Sequence, residues 1–238
     1  MLTLRYRYYN LILFELVIML YITSCEKNIP SSYPDYNGQK GLIYDIEGNE
    51  YKTIGIGSQI WMAENLKTTF FNDGSLIPEV YKDSMWAKLH SPGYCWYNND
   101  SSTNKKVYGA LYNFYTIETG SLCPTGWHVP NKSEWNTLES FLGGNETAGG
   151  KLKDYNTPYW DEPNPCFVNN YGFSALPGGR RLNYSGRFFE IRESGNWWTS
   201  TSKDDFYAYS RSMSNESTDL NRFVYRKNVG CSVRCIKD

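Results

Sequence analysis

Residues 122–142, which read LCPTGWHVPNKSEWNTLESFL, decide the fold class because they place a cysteine, a Trp-His turn and a capped helix in order. Asn131 can cap a helix, and Glu134 stands three residues later, at the spacing of a capping box. The glycine pair at 143–144 ends the pattern. The apolar face of this predicted amphipathic helix consists of Trp135, Leu138 and Leu142.

Strand patterns dominate the rest of the chain, with one further helix predicted at Ala110 to Glu118. The turn residues Glu47-Gly48-Asn49 lie between two strand-like segments and predict a hairpin. Helices in the middle and strands at both ends indicate an α+β domain. The predicted strands cover residues 42–45, 51–56, 59–62, 172–176, 187–191, 196–200, 207–213, 222–225 and 232–236.

The start of the chain has the features of a bacterial lipoprotein signal. A basic front and a short aliphatic stretch precede Ile22-Thr23-Ser24-Cys25, which resembles the lipoprotein box. The aliphatic stretch is shorter than the roughly 20 apolar residues of a membrane span. We predict a signal peptide at 1–24, a lipidated Cys25, a flexible tether at 25–40 and one domain at 41–238. The alternative is an ordinary signal peptide in which Cys25 is incidental.

Composition narrows the class of partner. The net charge is −1, so neither nucleic acid nor an acidic membrane surface is indicated as a ligand. The chain has 21 Tyr, 8 Trp and 11 Phe, a density that suits short strands and aromatic-lined loops. An exported domain fits this composition.

The cysteines indicate an oxidising compartment but not a metal site. With Cys25 set aside, an odd number remains, and no two of them form a C-x-x-C pair. The two histidines, His90 and His128, lie in unrelated contexts, so we predict no structural zinc and no cofactor. His128 lies in a tight aromatic turn, and we assign it a structural role.

Seven motifs follow one another between residues 41 and 238. They are QIWMAENL at 59–66, WYNND at 96–100, YGALYN at 108–113, CPTGWHVP at 123–130, GGKLK at 149–153, GFSALPGG at 172–179 and SVRC at 232–235. Together they resemble the Fibrobacter succinogenes major paralogous domain family, which is found in surface lipoproteins of Bacteroidetes and Fibrobacteres. That family is similar to the C-type lectin-like fold, in the variant shared with formylglycine-generating sulfatase-modifying factors. The resemblance implies a twisted antiparallel sheet, two main helices and long loops.

The resemblance also implies a disulfide between Cys123 and Cys235, which would match the long disulfide of lectin-like domains. It says nothing about Cys95, Cys166 or Cys231, whose pairing stays open.

Two further functions, one catalytic and one metal-dependent, lack residues that they require. An oxidase of the formylglycine-generating type needs two reactive thiols, but Cys235 is committed to the implied disulfide and Cys231 is four residues away. Glu162-Pro163-Asn164 matches the calcium and mannose motif of true C-type lectins, yet no Trp-Asn-Asp motif follows it. We therefore predict neither catalysis nor a metal.

Candidate ligand contacts lie between residues 159 and 198. Tyr and Trp faces stack on sugar rings, and this region forms the variable loops of lectin-like folds. Adjacent residues of a strand point to opposite faces, so at least one of Trp197 and Trp198 should be core. A basic cluster at Arg180, Arg181, Arg187 and Arg192 is a further candidate, for anionic glycans. The predicted ligand-binding residues are Trp160, Arg180, Tyr184, Trp197 and Trp198, with Tyr159 as a further aromatic of the same region.

The sequence thus predicts a lipoprotein anchored to the bacterial outer membrane, on its periplasmic or cell-surface side. Its lectin-like domain binds a glycan or an envelope protein without catalysis. The alternative is a structural cell-envelope protein in which the aromatic residues only fill the core.

Overall fold

The computed structural model describes residues 35–154, 157–163 and 171–238. Cys25, Asn164 and Cys166 lie outside these ranges. The strands are β1 (Lys40–Tyr44), β2 (Glu50–Ile56), β3 (Gln59–Met62), β4 (Tyr94–Cys95), β5 (Leu111–Tyr112), β6 (Trp127–His128), β7 (Gly178–Arg181), β8 (Phe188–Ile191), β9 (Ser194–Ser202), β10 (Tyr207–Ser214), β11 (Asn221–Arg226) and β12 (Ile236–Lys237). The helices are α1 (Asp83–Trp86), α2 (Ser101–Tyr108), α3 (Phe114–Glu118), α4 (Lys132–Phe141) and α5 (Asn145–Leu152), with a 3₁₀ turn at Tyr97–Asn99.

Two five-stranded sheets form the frame of the domain. The first has the order β1-β2-β3-β12-β6 and the second β11-β10-β9-β7-β8, while β4 and β5 form a separate pair. Pairing between these strands is antiparallel except for a single parallel contact between β7 and β9, and three isolated bridges outside the strand ladders are also parallel. The domain is therefore α+β, as predicted.

Local sequence signals position the first sheet. The predicted hairpin is present, because Asp45 accepts hydrogen bonds from the backbone N–H groups of Glu47 and Asn49, and Gly48 adopts a φ of 77°. Residues 36–40, which we predicted to be tether, already belong to the fold. Tyr36 donates its N–H to the carbonyl of Gly57, and β1 begins at Lys40.

The capped helix is also where the sequence places it. In α4 the side chain of Asn131 accepts from the N–H groups of Ser133 and Glu134, and Glu134 accepts in return from the N–H of Asn131. The side chains of Trp135 and Leu138 in this helix are fully buried. Local capping and apolar spacing thus suffice to place α4.

The second predicted helix is too long. Residues Ala110 to Asn113 do not join α3, because Tyr112 exchanges both backbone hydrogen bonds with Cys231 and so extends as part of β5. Helices α2 and α5 were not predicted. α2 is capped by Asp100 but has little apolar periodicity, and α5 contains two glycines, which lower helix propensity.

Two segments that were predicted to be strands have an irregular backbone instead. Residues 172–176 make only an isolated bridge between Ala175 and Lys153, and residues 232–235 make one, between Ser232 and Trp197, before β12 begins. The carbonyls of Phe173 and Ser174 accept from the side chain of Arg234, whereas those of Val233 and Cys235 accept from the N–H groups of Leu66 and Met62.

Aromatic side chains fill the space between the sheets and α4. Trp61 lies 4.9 Å from Trp135 and 5.9 Å from Phe173 between ring centroids. Trp198 packs edge-on against Phe114 on the other side of the second sheet. Burying rings of this size is the main favourable term in the stability of the domain.

Cys123 and Cys235 form a disulfide, as the resemblance implied, with a sequence separation of 112 residues. Cys235 directly precedes β12, which pairs with β3 on one side and β6 on the other. The bond therefore fixes the end of the chain inside the first sheet. In the described part of the chain, no helix is long and apolar enough to cross a membrane.

Candidate functional site

Arg234 is the centre of a buried polar cluster that joins four distant segments. Its side chain is 1% exposed, and it donates to the side-chain oxygen of Asn65 at 2.8 Å and to the carbonyls of Phe173 and Ser174. The guanidinium also lies 4.2 Å from the centroid of the Phe173 ring. Burial lowers the pKa of Arg234 to about 9, against the opposing charges of Glu64 and Asp154. The side chain is still mostly charged at neutral pH.

Asn65 completes this cluster by using all of its hydrogen-bonding capacity. Its amide nitrogen donates to the carbonyl of Tyr108 at 2.8 Å and to the hydroxyl of Ser232 at 3.3 Å. Its oxygen accepts from Arg234 and, at 2.9 Å, from the indole nitrogen of Trp197. The motifs at 59–66, 108–113, 172–179 and 232–235 therefore meet at one point, which we call the Asn65–Arg234 hub.

The hub requires close approach of the backbone at one glycine. Gly109 adopts a φ of 71°, and a Cβ there would lie 2.6 Å from the carbonyl oxygen of Leu66. Only glycine fits this position without a shift of the backbone. The glycine of the 108–113 motif is thus explained by packing.

A groove of about 940 Å³ opens above the hub, and Asn65, Ser174 and Arg234 form part of its lining. The groove is near the upper end of the volume range of small-ligand sites. One wall comes from β1 and β2 and a second from α2, while a third consists of Asp154, Thr157, Tyr159, Gly172, Ser174 and Leu176. The charged residues of the lining are Lys40, Lys52, Lys67, Lys106, Arg234, Glu64 and Asp154.

None of the four lysines of the groove forms a salt bridge within the described ranges. Lys67 donates to the carbonyl of Glu50 at 3.1 Å, which satisfies a hydrogen bond but leaves the charge in place. The groove therefore concentrates positive charge on a protein whose net charge is −1.

Three of the predicted ligand-binding residues lie in the core instead. Trp160, Trp197 and Trp198 are buried, and their ring nitrogens donate to Ala175, Asn65 and Tyr112 respectively. Trp197 and Trp198 do point to opposite faces of β9, but each face of that sheet is covered. Their rings are not accessible to a ligand, so we correct their assignment to structural residues.

The other two predicted residues are accessible to different degrees. Tyr184 is 76% exposed and stands apart from the groove lining. Arg180 donates to the hydroxyl of Tyr225 at 2.7 Å and pairs with Glu190 at 3.0 Å. Its guanidinium also lies near the rings of Phe189 and Tyr225, and we call Arg180, Phe189, Phe223 and Tyr225 the aromatic patch.

The predicted basic cluster around Arg180 does not form. Arg181 is fully buried between the rings of Trp86 and Phe188, and it donates to the carboxylate of Asp83. Arg192 pairs with Asp161 at 2.6 Å. Of the four arginines of the predicted cluster, Arg187 alone is exposed and makes no salt bridge among the described residues. Strand alternation separates these neighbours, so sequence proximity misplaces the positive surface.

The free thiols in the described part of the chain lie inside the protein. Cys95 and Cys231 are both unpaired and fully buried. Burial raises the pKa of Cys95 to about 12 and raises that of Cys231 further. A thiolate, the form that acts as a nucleophile, is therefore strongly disfavoured at both positions.

His128 bridges two carboxylates rather than bonding to the backbone. Its Nδ1 lies 2.5 Å from Asp238 Oδ1 and its Nε2 lies 2.8 Å from Glu134 Oε1. Burial lowers the pKa of His128, but the hydrogen bonds to Asp238 and Glu134 outweigh it and the net shift is upward. The histidine thus ties the cap of α4 to residue 238, which supports a structural role.

We expect His128→Gln to destabilise the domain more at pH 5.5 than at pH 9. Because the folded-state pKa is raised, the contribution is full below the unfolded value near 6.5 and is lost as pH rises through the folded value. The site is partly exposed, so the loss at pH 5.5 should be about 1 kcal/mol or less. Urea unfolding at both pH values measures it. His90→Gln, which removes a contact to Tyr115 but no carboxylate pair, is the control, and a loss for His128→Gln that is no greater at pH 5.5 than at pH 9 contradicts the prediction.

Metal ligation finds no support in residues 35–154, 157–163 and 171–238, where no group of three or more His, Cys, Asp or Glu could hold an ion. Glu162 and Pro163 of the calcium-like motif are described, but Asn164 is not. The groove itself was missed by sequence reasoning, since its lysines come from separate segments.

A family model described as the Fibrobacter succinogenes major domain matches residues 54–237. No curated protein and no solved structure matches the chain. The match covers all of the segments that meet at the Asn65–Arg234 hub.

Proposed function

This chain belongs to the Fibrobacter succinogenes major domain family, and we propose on that premise that it is a lipoprotein with a non-catalytic binding domain. Lipidation at Cys25 anchors it to the bacterial outer membrane, on the periplasmic or cell-surface side. The domain has a C-type lectin-like fold and binds a glycan or an envelope protein in the groove. The open groove above the Asn65–Arg234 hub is the observation that carries this proposal.

The rigidity of the groove floor supports binding. Asn65 and Arg234 are held by hydrogen bonds to Trp197, Tyr108 and two backbone carbonyls, so the lining is fixed before a ligand arrives. A preorganised site loses less conformational entropy on binding. The lectin-like assignment is supported by the disulfide, which brings the end of the chain into the same sheet as β1.

The absence of catalysis is proposed from the state of the cysteines that the structure describes. An oxidase of the kind considered above needs accessible, ionisable cysteines, whereas Cys95 and Cys231 are buried with raised pKa values. Cys235 is already oxidised to the disulfide with Cys123. We therefore propose that the groove binds a ligand and does not catalyse an oxidase reaction.

The anchor is tested by metabolic labelling with radioactive palmitate in a bacterial host. The wild-type chain should incorporate label, and Cys25→Ala should lose it because no thiol is left to take the diacylglycerol. Cys95→Ala, which removes a buried thiol, should retain the label. Label that persists in Cys25→Ala contradicts the anchor and leaves the binding proposal to be judged separately.

Binding is tested with the full chain in detergent on an array of bacterial envelope glycans and proteins. Val107→Trp places a large ring in the groove from α2 and should weaken any binding at least about tenfold by occupying the site. Val224→Trp is the matched control, because Val224 is exposed on β11 and is not part of the lining. Binding that Val107→Trp leaves unchanged, or no binding to any member of the array, overturns the proposal.

A further inference from the structure

Two lysines of the groove lie on the same face of the β1–β2 hairpin. The register pairs Lys40 with Ile54 and Leu42 with Lys52, and side chains two residues apart share a face. Lys40 and Lys52 are therefore diagonal neighbours, at a typical separation of about 7 to 8 Å. Both are exposed, and both line the groove. This wall presents two like charges toward open solvent.

The other two lysines reach the groove from elsewhere in the chain. Lys106 is exposed on α2, and Lys67 lies in the segment after β3, 4.9 Å from the ring of Tyr51. Neither has a carboxylate partner among the residues the structure describes. Positive charge gathered from separate walls favours an anionic ligand, because each charge repels the others until an anion lies between them.

The rest of the lining narrows the kind of anion. Glu64 and Asp154 supply carboxylates, which accept hydrogen bonds from hydroxyl groups and so favour an anion that also carries hydroxyls. Tyr159 offers a half-buried ring that rests edge-on against Tyr108 at 5.7 Å. A sugar chain presents hydroxyls, apolar ring faces and, when acidic, carboxylates or sulfates. Such a ligand matches each feature of the groove.

We propose that the groove binds an acidic glycan, whose carboxylate or sulfate groups contact Lys40, Lys52, Lys67 and Lys106 while its hydroxyls bond to Glu64 and Asp154. This inference rests on the proposed binding function and names the ligand class of the same groove. It explains why lysines and carboxylates share the lining instead of forming salt bridges with each other.

The test compares charged and uncharged forms of the same sugar. The full chain in detergent is titrated with oligogalacturonate and with its fully methyl-esterified form, and then with a sulfated galactan oligosaccharide and its desulfated form. One or both charged probes should bind at least tenfold more tightly than their neutral counterparts. Which of the two binds identifies the carboxylate or the sulfate as the recognised group.

Charge variants locate the effect. Lys52→Gln combined with Lys106→Gln should weaken binding of the charged probe at least tenfold, since two charge-assisted hydrogen bonds are lost. Lys82→Gln combined with Lys88→Gln removes two exposed lysines outside the groove and should change it less than twofold. If the neutral and charged forms bind equally well and Val107→Trp abolishes the binding of both, this inference is overturned but the proposed function stands. No binding of any of the four probes overturns the inference, while the envelope array decides the proposed function.

Discussion

Arg234→Met is expected to lower the free energy of unfolding by about 3 to 5 kcal/mol. Methionine replaces the aliphatic stem of arginine but has no donor, so the carbonyls of Phe173 and Ser174 lose the Arg234 hydrogen bonds and the oxygen of Asn65 keeps only that from Trp197. A buried acceptor left without a hydrogen bond costs about 1 to 3 kcal/mol. Urea unfolding of the full chain in detergent, followed by tryptophan fluorescence, measures the loss.

Two further variants keep this prediction open to contradiction. Arg234→Lys retains the charge but has fewer directed donors, so its stability should lie between that of the wild type and Arg234→Met. Arg187→Met changes an exposed arginine and should alter the free energy of unfolding by no more than about 0.5 kcal/mol. If Arg234→Met is as stable as Arg187→Met, the hub does not hold the groove floor.

The double variant Cys123→Ala, Cys235→Ala should lose about 4 to 5 kcal/mol of stability. The bond closes a loop with a separation of 112 residues, and in the chain-entropy model opening it frees the unfolded chain. The change should appear as a lower urea midpoint for the oxidised full chain.

A reducing agent provides the control for the disulfide. It should lower the midpoint of the wild type toward that of the double variant, and it should change the double variant less, because Cys95 and Cys231, the other cysteines among the described residues, are unpaired. Equal midpoints for the oxidised wild type and the double variant would show that the bond contributes nothing to stability.

Local signals in the sequence predict the elements that local physics determines. The cap at Asn131 and the apolar spacing of Trp135 and Leu138 place α4, and the turn at Asp45 to Asn49 places the first hairpin. The limits of α3 depend instead on Cys231, whose backbone draws Tyr112 into a strand contact more than a hundred residues away in sequence. No local pattern carries that information.

The candidate site also depends on contacts between distant residues, which local sequence patterns do not reveal. Arg180 and Arg181 are neighbours in sequence, yet one pairs with Glu190 near the surface and the other is buried beside Trp86. The groove lysines are far apart in sequence and come together only through the register of the hairpin and the position of α2. The sequence predicts that side chains alternate along a strand, but it does not reveal whether both faces of the strand are buried. For this reason the sequence wrongly predicts Trp198 to be a ligand-binding residue.

Hydrogen–deuterium exchange of the full chain in detergent, with and without the most tightly bound glycan, tests most directly whether the groove is the binding site. We expect added protection in residues 40–54, 63–67 and 106–107, which line the groove from two walls. Protection confined to β8 and β11 would contradict this account, because it would place the ligand on the aromatic patch around Arg180 and leave the groove empty.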